Sequence, residues 1–278
     1  MMPNTDVKEI LKKNGFRFDK RYGQNFLTDE TLLKTLVEKT GVGKDDTVIE
    51  IGVGAGTLTA ALSDAAKRVI GFEIDRRLQP VLAETLKGRD NVEIVFADVM
   101  KIPTEEIVEK AGGRFSVVAN LPYYITTPVL MKFLEDSAFV DLIAVTVQEE
   151  VADRICAKPS SADYGALTLA VDFRGNAEKV MRIPRELFLP SPNVDSAVAV
   201  IRIDPEKYVG ADETAFRNVV RSAFSSRRKT LVNNLMQSFG LSREKAEEAV
   251  TAVKGEKLAR GETLSTAEFV ELSKIITL

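Results

Sequence analysis

Residues 47–57, TVIEIGVGAGT, give the clearest indication of the fold of this 278-residue chain. A run of β-branched residues leads into three glycines, a pattern that predicts a buried strand, a tight turn and the start of a helix. At such a turn the backbone N–H groups can approach a ligand closely. The glycines are Gly52, Gly54 and Gly56, whereas the dinucleotide pattern G-x-G-x-x-G needs a glycine at position 57, which is Thr57 here. The turn therefore predicts a nucleoside site that departs from the dinucleotide type.

Short apolar strands alternate with helical patterns on both sides of this turn. Strands are predicted at 47–51, 68–74, 92–96, 115–120 and 142–147, with two later ones at 167–173 and 197–203. Helices are predicted at 57–67, 76–88, 104–111 and 128–136, and then at 213–224, 227–239, 243–253 and 266–276. The alternation indicates an α/β, Rossmann-like domain with a mostly parallel seven-stranded sheet over residues 1–204, including a basic N-terminal segment at 1–27. Residues 205–278 are expected to form a small all-helical C-terminal domain.

The composition excludes several kinds of chemistry. The chain has no histidine and a single cysteine, Cys156, which excludes Ser-His-Asp and Cys-His catalysis, His-ligated metals, a zinc ribbon and an intrachain disulfide. No metal is expected, and a cofactor is expected to carry the reactive group. No apolar run is long enough to span a bilayer, and the N-terminus lacks the pattern of a secretory signal. A cytoplasmic protein without a membrane partner is the expectation.

Acidic residues follow the second and third predicted strands. Glu73 stands where a carboxylate can accept two hydrogen bonds from a ribose diol, and Asp98 stands where it can accept from an adenine amine. Asp75 is better interpreted as a helix N-cap. Together with the glycine turn, these strand ends predict a nucleoside cofactor.

The fourth predicted strand ends in the tetrad Asn120-Leu121-Pro122-Tyr123. An exocyclic adenine amine is a poor nucleophile because its lone pair is delocalised into the ring. The Asn120 side-chain oxygen and the Leu121 carbonyl can accept hydrogen bonds from the two N–H groups of this amine and so restore the nucleophilicity of its nitrogen. Pro122 makes the turn rigid, and Tyr123 offers a face on which an extruded base can stack. The tetrad therefore predicts methylation of an amine.

At this point the sequence resembles a known family. The E-x-G-x-G-x-G form at 50–56 is similar to the first motif of class I methyltransferases, and nearly the whole chain resembles the small-subunit ribosomal RNA adenine dimethyltransferases. The further matching segments are GQNFL at 23–27, the tetrad, FLPSPNVDSAV at 188–198 and SRRKT at 226–230. The resemblance implies S-adenosylmethionine as the cofactor. It also implies dimethylation of two adjacent adenosines near the 3′ end of small-subunit rRNA, within a ribosomal assembly particle.

Residue roles follow from the same match. The expected cofactor residues are Gln24, Asn25, Leu27, Glu50, Gly52, Gly54, Gly56, Glu73, Ile74, Asp98, Val99 and Asn120. The expected catalytic residues are Asn120, Leu121, Pro122, Tyr123 and Phe188, with Phe188 implied to stack on the target adenine opposite Tyr123.

Basic residues are segregated along a chain of net charge −3. Residues 8–21 contain six basic and two acidic residues, and residues 214–242 contain five basic residues and no acidic one. Each segment is compatible with a solvated helix face or with a nucleic-acid surface. The RNA interpretation assigns phosphate contacts to Arg221, Arg227, Arg228 and Lys229.

Three alternatives remain open. The erythromycin-resistance methyltransferases act on large-subunit rRNA, but Leu121 and the pair Asp195-Ser196 favour the small-subunit type. A DNA adenine methyltransferase would also use an Asn-Pro tetrad, and the basic C-terminal helices favour the rRNA family. A non-catalytic RNA-binding factor could use the same fold, because fold alone does not determine function. The sequence does not determine oligomeric state, and a monomer is the default expectation.

Overall fold

Two β-sheets and twelve α-helices are present in the computed structural model, which describes residues 7–19, 22–226 and 228–277. The strands are β1 (Phe26–Leu27), β2 (Thr47–Ile51), β3 (Arg68–Glu73), β4 (Val92–Phe96), β5 (Phe115–Asn120), β6 (Val140–Gln148), β7 (Gly175–Ile183), β8 (Phe188–Leu189) and β9 (Ser196–Ile203). The helices are α1 (Val7–Lys13), α2 (Glu30–Thr40), α3 (Thr57–Ala65), α4 (Gln79–Thr85), α5 (Thr104–Ala111), α6 (Thr126–Glu135), α7 (Glu149–Ile155), α8 (Ala166–Arg174), α9 (Glu213–Ala223), α10 (Leu231–Phe239), α11 (Arg243–Lys254) and α12 (Thr266–Thr277).

The large sheet has seven strands in the order β4-β3-β2-β5-β6-β9-β7. β2 pairs in parallel with β3 and β5, the pairs β3–β4 and β5–β6 are parallel, and β6–β9 is antiparallel. Val48 and Ile49 of β2 are completely buried, as expected for a strand covered on both faces. The predicted mostly parallel seven-stranded sheet is confirmed.

The order of the strands places a ligand site at the carboxyl end of β2. The chain proceeds from β2 to β3 and β4 on one side, and then returns to β5 and β6 on the other. Ligands of open α/β sheets bind outside the carboxyl ends of the strands, at the point where the strand order reverses. The glycine turn after β2 lies at this point.

A second, two-stranded sheet brings two distant sequence segments together. β1 and β8 are antiparallel, with Phe26 opposite Leu189 and Leu27 opposite Phe188. This pairing holds the segment after the basic N-terminus against the segment that contains Phe188.

The strand predicted at 167–173 is wrong, because these residues belong to helix α8. Leu169 and Phe173 are four residues apart, lie on one helical face and are buried among helices. The strand comes later, as β7 at one edge of the sheet, with Glu178, Lys179 and Arg182 in its sequence. Short apolar runs fit helix and strand equally well, and a polar edge strand carries little hydrophobic pattern.

The helical unit is larger than the sequence analysis predicts. The chain divides into two compact units, residues 1–152 with 178–203, and residues 153–177 with 204–278. The boundaries 1–204 and 205–278 therefore need correction at 153–177, which include α8. The Phe173 ring stacks on Phe216 of α9 with a centroid distance of 4.4 Å, so this segment completes the helical core.

Candidate active site

A cavity of about 290 Å³ lies at the carboxyl ends of β2, β3, β4 and β5. Every residue that the sequence analysis assigns to cofactor or catalysis lines it, apart from Gly56. Gly56 instead serves as the N-cap of α3, where an added Cβ would lie 2.9 Å from Leu82 Cδ2. The structure thus brings residues from 24 to 188 of the sequence to one cavity.

The glycine turn gives the cavity its floor. Gly52 and Gly54 adopt φ angles of 76° and 57°, which residues with a Cβ rarely adopt. A Cβ on Gly54 would also lie 2.7 Å from Cε1 of Phe26. The turn therefore requires glycine at this position for its backbone conformation and for its packing against β1.

Glu73 holds the glycine turn in place. Its carboxylate accepts hydrogen bonds from the N–H of Gly54 and from the N–H of Asp75, each at 2.8 Å. Burial raises the pKa of Glu73, and the two N–H donors oppose that shift. Each carboxylate oxygen has a second lone pair, so Glu73 can still accept from a bound diol. Asp75 is the expected N-cap, accepting from the N–H of Arg77 at 3.1 Å.

The β4 side of the cavity combines a carboxylate with apolar surface. Asp98 accepts from the N–H of Met100 at 3.1 Å. Val99 is buried beside it, whereas Ile74 and Met100 are exposed hydrophobic residues that line the cavity. Exposed apolar side chains beside a carboxylate suit the faces and the amine of a nucleobase. Met100 could not be predicted as a site residue, because an isolated methionine after a strand indicates no particular chemistry.

Glu50 is the most unusual group in the cavity. It is 0% exposed, and neither carboxylate oxygen has a hydrogen-bond partner among the described residues. Desolvation raises its pKa to about 8, the neighbouring Thr59 hydroxyl opposes this shift, and the nearby charge of Glu73 adds to it. Buried polar groups are almost always paired, so an unpaired carboxyl lining a cavity is typical of a ligand-binding group.

Asn120 is oriented by the N-terminal segment. Its side-chain nitrogen donates to the backbone carbonyl of Asn25 at 3.0 Å, which leaves the side-chain oxygen as the acceptor. Gln24 supports the same segment by donating to Asp75 at 2.9 Å, and the Thr57 hydroxyl donates to the carbonyl of Leu27 at 2.6 Å. The segment 23–27 therefore positions both the tetrad and the glycine turn.

The remaining tetrad residues form the wall next to Asn120. Leu121 is buried, and Pro122 precedes a single 3₁₀ turn over Tyr123–Ile125. The Tyr123 hydroxyl and the Ser196 hydroxyl are 2.8 Å apart, and burial raises the pKa of Tyr123, which keeps the ring neutral. Phe188 lines the cavity but is only 5% exposed, which leaves little of its ring accessible.

Two polar residues of the 188–198 segment have structural contacts that its sequence does not reveal. Asp195 accepts from the Arg182 guanidinium at 2.6 Å and from the N–H of Arg185 at 3.1 Å. Ser196 is fully buried at the start of β9. Both residues brace the segment that carries Phe188, and only the tertiary structure brings their partners near.

The predicted RNA-binding residues belong to the helical unit. Arg221 is exposed at the end of α9, and Arg228 and Lys229 are exposed before α10. Lys229 donates to the side-chain oxygen of Gln237 at 3.0 Å. Arg227 lies outside the described residues.

Neither a metal-binding group of side chains nor a membrane-spanning helix occurs among the described residues. Within residues 7–19, 22–226 and 228–277, no three His, Cys, Asp or Glu residues form a group able to hold a metal ion. No helix in these ranges has both the length and the apolar character needed to cross a membrane.

Comparison with known proteins identifies the family. The model of the ribosomal RNA adenine dimethylase family matches residues 15–277. A protein of Geobacillus thermodenitrificans named ribosomal RNA small subunit methyltransferase A is 46% identical, over 97% of this chain and 94% of its own.

Two solved structures have a similar fold. The 23S rRNA methyltransferase ErmE is 27% identical with a TM-score of 0.70, covering 91% of this chain and 100% of its own. A dimethyladenosine transferase from Plasmodium falciparum is 24% identical with a TM-score of 0.76, covering 89% and 95%. The family model and the relative at 46% identity show that the chain belongs to the ribosomal RNA adenine dimethylase family, whose methyl donor is S-adenosylmethionine, and the cavity with its tetrad fits this family.

Proposed function

We propose that this protein transfers methyl groups from S-adenosylmethionine to the N6 amines of two adjacent adenosines near the 3′ end of small-subunit rRNA, during ribosome assembly. The observation that carries the proposal is the 46% identity, over almost the full length of both chains, to a protein named for the small ribosomal subunit. Identity to the 23S rRNA methyltransferase ErmE is 27%. Leu121 and the pair Asp195-Ser196 favour the same substrate.

The glycine turn and the strand-end carboxylates are proposed to hold the cofactor. Gly52 and Gly54 allow close approach of the backbone, Glu73 accepts from the ribose, and Asp98 accepts from the adenine amine. Ile74 and Val99 provide apolar contact with the base. When bound, S-adenosylmethionine would supply the electrophilic methyl group.

The tetrad is proposed to activate the target amine. The Asn120 oxygen and the Leu121 carbonyl would accept hydrogen bonds from the two N–H groups of the amine, which localises the lone pair on the nitrogen and makes it more nucleophilic. Formation of the N–C bond would break the bond between the methyl carbon and the sulfonium sulfur, leaving a neutral thioether. The methylated nitrogen would then be acidic and lose a proton to solvent, so no histidine is required. Tyr123 provides a stacking face for the extruded base, and Phe188 limits the opposite side of the cavity.

The helical unit is proposed to bind the ribosomal particle. Arg221, Arg228 and Lys229 are exposed cations in a segment without acidic residues, which suits contacts with phosphates. We include Arg227 with them on the basis of sequence. The protein is proposed to act in the cytoplasm as a monomer.

The decisive experiment incubates undermethylated small subunits with the protein and S-adenosylmethionine, followed by mapping of modified bases. Two adjacent dimethyladenosines near the 3′ end of the small-subunit rRNA are expected. Large subunits, incubated in parallel, provide the control. Modification of large-subunit rRNA alone would refute the substrate, and a single methyl group on each base would refute dimethylation. Absence of any methyl transfer would favour a non-catalytic assembly factor.

A further inference from the structure

Tyr124 lines the cavity although most of its surface is exposed. Three of the chain's five tyrosines line this cavity, namely Tyr22, Tyr123 and Tyr124. Tyr123 is half-buried, and its hydroxyl lies 2.8 Å from that of Ser196, whereas Tyr124 is 64% exposed. Tyrosine is common where proteins bind their partners, because its ring is apolar and its hydroxyl tolerates water. Tyr124 therefore stands at the mouth of the cavity, where a substrate must pass.

The two adjacent tyrosines have different surroundings because they belong to one turn of 3₁₀ helix. This turn, Tyr123–Ile125, follows directly after Pro122. A 3₁₀ helix has three residues per turn, so consecutive side chains point about 120° apart. Tyr123 can therefore face a base inside the cavity while Tyr124, the next residue, faces whatever lies at the mouth.

The backbone of Gly23 supports the Tyr124 ring. A Cβ added to Gly23 would lie 3.3 Å from Cε1 and 3.6 Å from Cδ1 of this ring, and 3.1 Å from Cβ of Pro122. Gly23 also has a φ of 56°, which favours glycine. Its carbonyl accepts from the Asn25 side chain at 3.2 Å, and the carbonyl of Asn25 accepts from Asn120. The segment that orients the tetrad therefore also holds the Tyr124 ring in place.

The cavity offers no positive charge to a phosphate group. Its described lining contains three carboxyl groups, those of Glu50, Glu73 and Asp98, and no lysine or arginine. Because the RNA backbone is negative, attraction to phosphates cannot hold the strand at this place. Stacking on an aromatic ring needs no charge, since every base has a π face. A nucleotide at the mouth is therefore best held by its base.

We propose that Tyr124 is a stacking platform for the adenosine adjacent to the one that is being methylated. The inference rests on the proposed function, in which the two target adenosines are neighbours in the RNA. While one base occupies the cavity beside Tyr123, the neighbouring nucleotide stays attached to it at the mouth, and its base stacks on Tyr124. Tyr124 thereby determines specificity: it favours a target whose neighbour is a purine, because a purine offers a larger ring surface than a pyrimidine.

Kinetics with undermethylated small subunits test the role of the ring. In Tyr124→Ala the KM for the particles is expected to rise about fivefold or more, the usual effect of losing one stacked base, whereas kcat changes less. Tyr124→Phe keeps the ring and should restore the wild-type KM. Thr127→Ala changes an exposed residue in the first turn of α6 and should leave the KM unchanged, which controls for disturbance of the nearby turn. Calorimetry should give the same affinity for S-adenosylmethionine in all three variants.

A change in the RNA identifies the base that Tyr124 contacts. Particles in which uridine replaces one or the other of the two adenosines present a single target beside a base that stacks poorly. If Tyr124 stacks on the neighbouring adenine, Tyr124→Ala should raise the KM much less with at least one of these two kinds of particle than with unsubstituted particles. Such non-additivity is expected of two groups in direct contact.

Three results would overturn the proposal: a wild-type KM in Tyr124→Ala, an equal rise of the KM in Tyr124→Phe, or an undiminished effect of Tyr124→Ala with both kinds of substituted particle. Weaker binding of S-adenosylmethionine to Tyr124→Ala would also contradict it, because the ring would then contact the cofactor. Failure of the proposed function would look different, since the wild type itself would then transfer no methyl group to small-subunit rRNA.

Discussion

Asn120 illustrates how one hydrogen bond orients a reactive side chain. Its amide nitrogen donates to the carbonyl of Asn25, so the oxygen is the end available to a substrate amine. Asn120→Ala removes this acceptor. We expect methyl transfer to fall by a factor of about 10² to 10³, the usual effect of losing one preorganised polar contact at a reacting group.

A tritiated-methyl assay on undermethylated small subunits measures the loss in Asn120→Ala. Calorimetry with S-adenosylmethionine provides the control, because cofactor binding is expected to survive the substitution. Turnover near the wild-type rate would refute the proposed role of Asn120.

Glu50 should make the ligand-free protein less stable at alkaline pH. Its pKa is about 8 in the folded protein against an ordinary value of 4.5, so the unfolded chain releases the proton first as pH rises. Stability from this group is therefore lost between about pH 4.5 and pH 8, by roughly 5 kcal/mol as an upper bound. Glu50→Gln should melt at a higher temperature than the wild type at about pH 9, and the difference should shrink towards pH 5.

Thermal unfolding of the ligand-free protein across this pH range tests the expectation for Glu50. A difference in melting temperature that does not change with pH would contradict it. The expected gain in stability accompanies the loss of a functional group, as is common where an active site retains a buried polar group that destabilises the fold.

The turn between β2 and α3 combines two constraints, a positive φ and close packing against β1, and substitutions can separate them. Gly54→Ala adds a Cβ at a positive φ of 57° and against the Phe26 ring, whereas Gly112→Ala adds one at φ 78° with nothing within 4 Å. The Gly112 change should cost only the backbone strain, about 1 kcal/mol, and leave cofactor affinity intact. The Gly54 change should cost more and weaken S-adenosylmethionine binding at least tenfold.

Calorimetry and urea unfolding of the two glycine variants distinguish the constraints. Equal losses of stability in both variants, with cofactor affinity preserved in Gly54→Ala, would mean that the close packing of the turn on β1 is unimportant.

Sequence patterns predict some helices and strands correctly and others wrongly. β2, β4, β5 and α5 have the bounds expected from the sequence, and turn-forming residues such as Gly52 and Gly112 mark where β2 and α5 end. The run at 167–173 is a helix because its apolar side chains pack among other helices. Its partners, such as Phe216, are distant in the sequence, so no local pattern could identify them.

At the scale of the whole molecule, the distribution of charge matters more than its sum. The net charge is −3, yet residues 214–242 contain no acidic residue. Arg221, Arg228 and Lys229 lie in this segment. Replacing all three by Ala should weaken binding to small-subunit particles and make it less dependent on salt, by about one unit of slope for each phosphate that is no longer neutralised.

Cofactor affinity should not change in this triple variant. Its matched control is the triple alanine variant of Arg243, Lys257 and Lys274, three exposed cations of the same unit that pair with Glu247 or Glu271. Filter binding over a range of salt concentrations measures both variants. If both triple variants weakened binding to small-subunit particles equally, residues 214–242 would not form a specific RNA-binding surface.

Local patterns in the sequence predict six of the seven strands of the large sheet, the glycine turn and the tetrad: apolar runs, a glycine spacing and side chains at strand ends. Which groups have hydrogen-bond partners could be seen only in the folded protein. It places Asn25 behind Asn120 and Ser196 against Tyr123, and it leaves the buried Glu50 without a hydrogen bond among the described residues. The physical reason is that hydrogen bonding and desolvation depend on every neighbour in space, and most neighbours of a buried group are distant in the sequence.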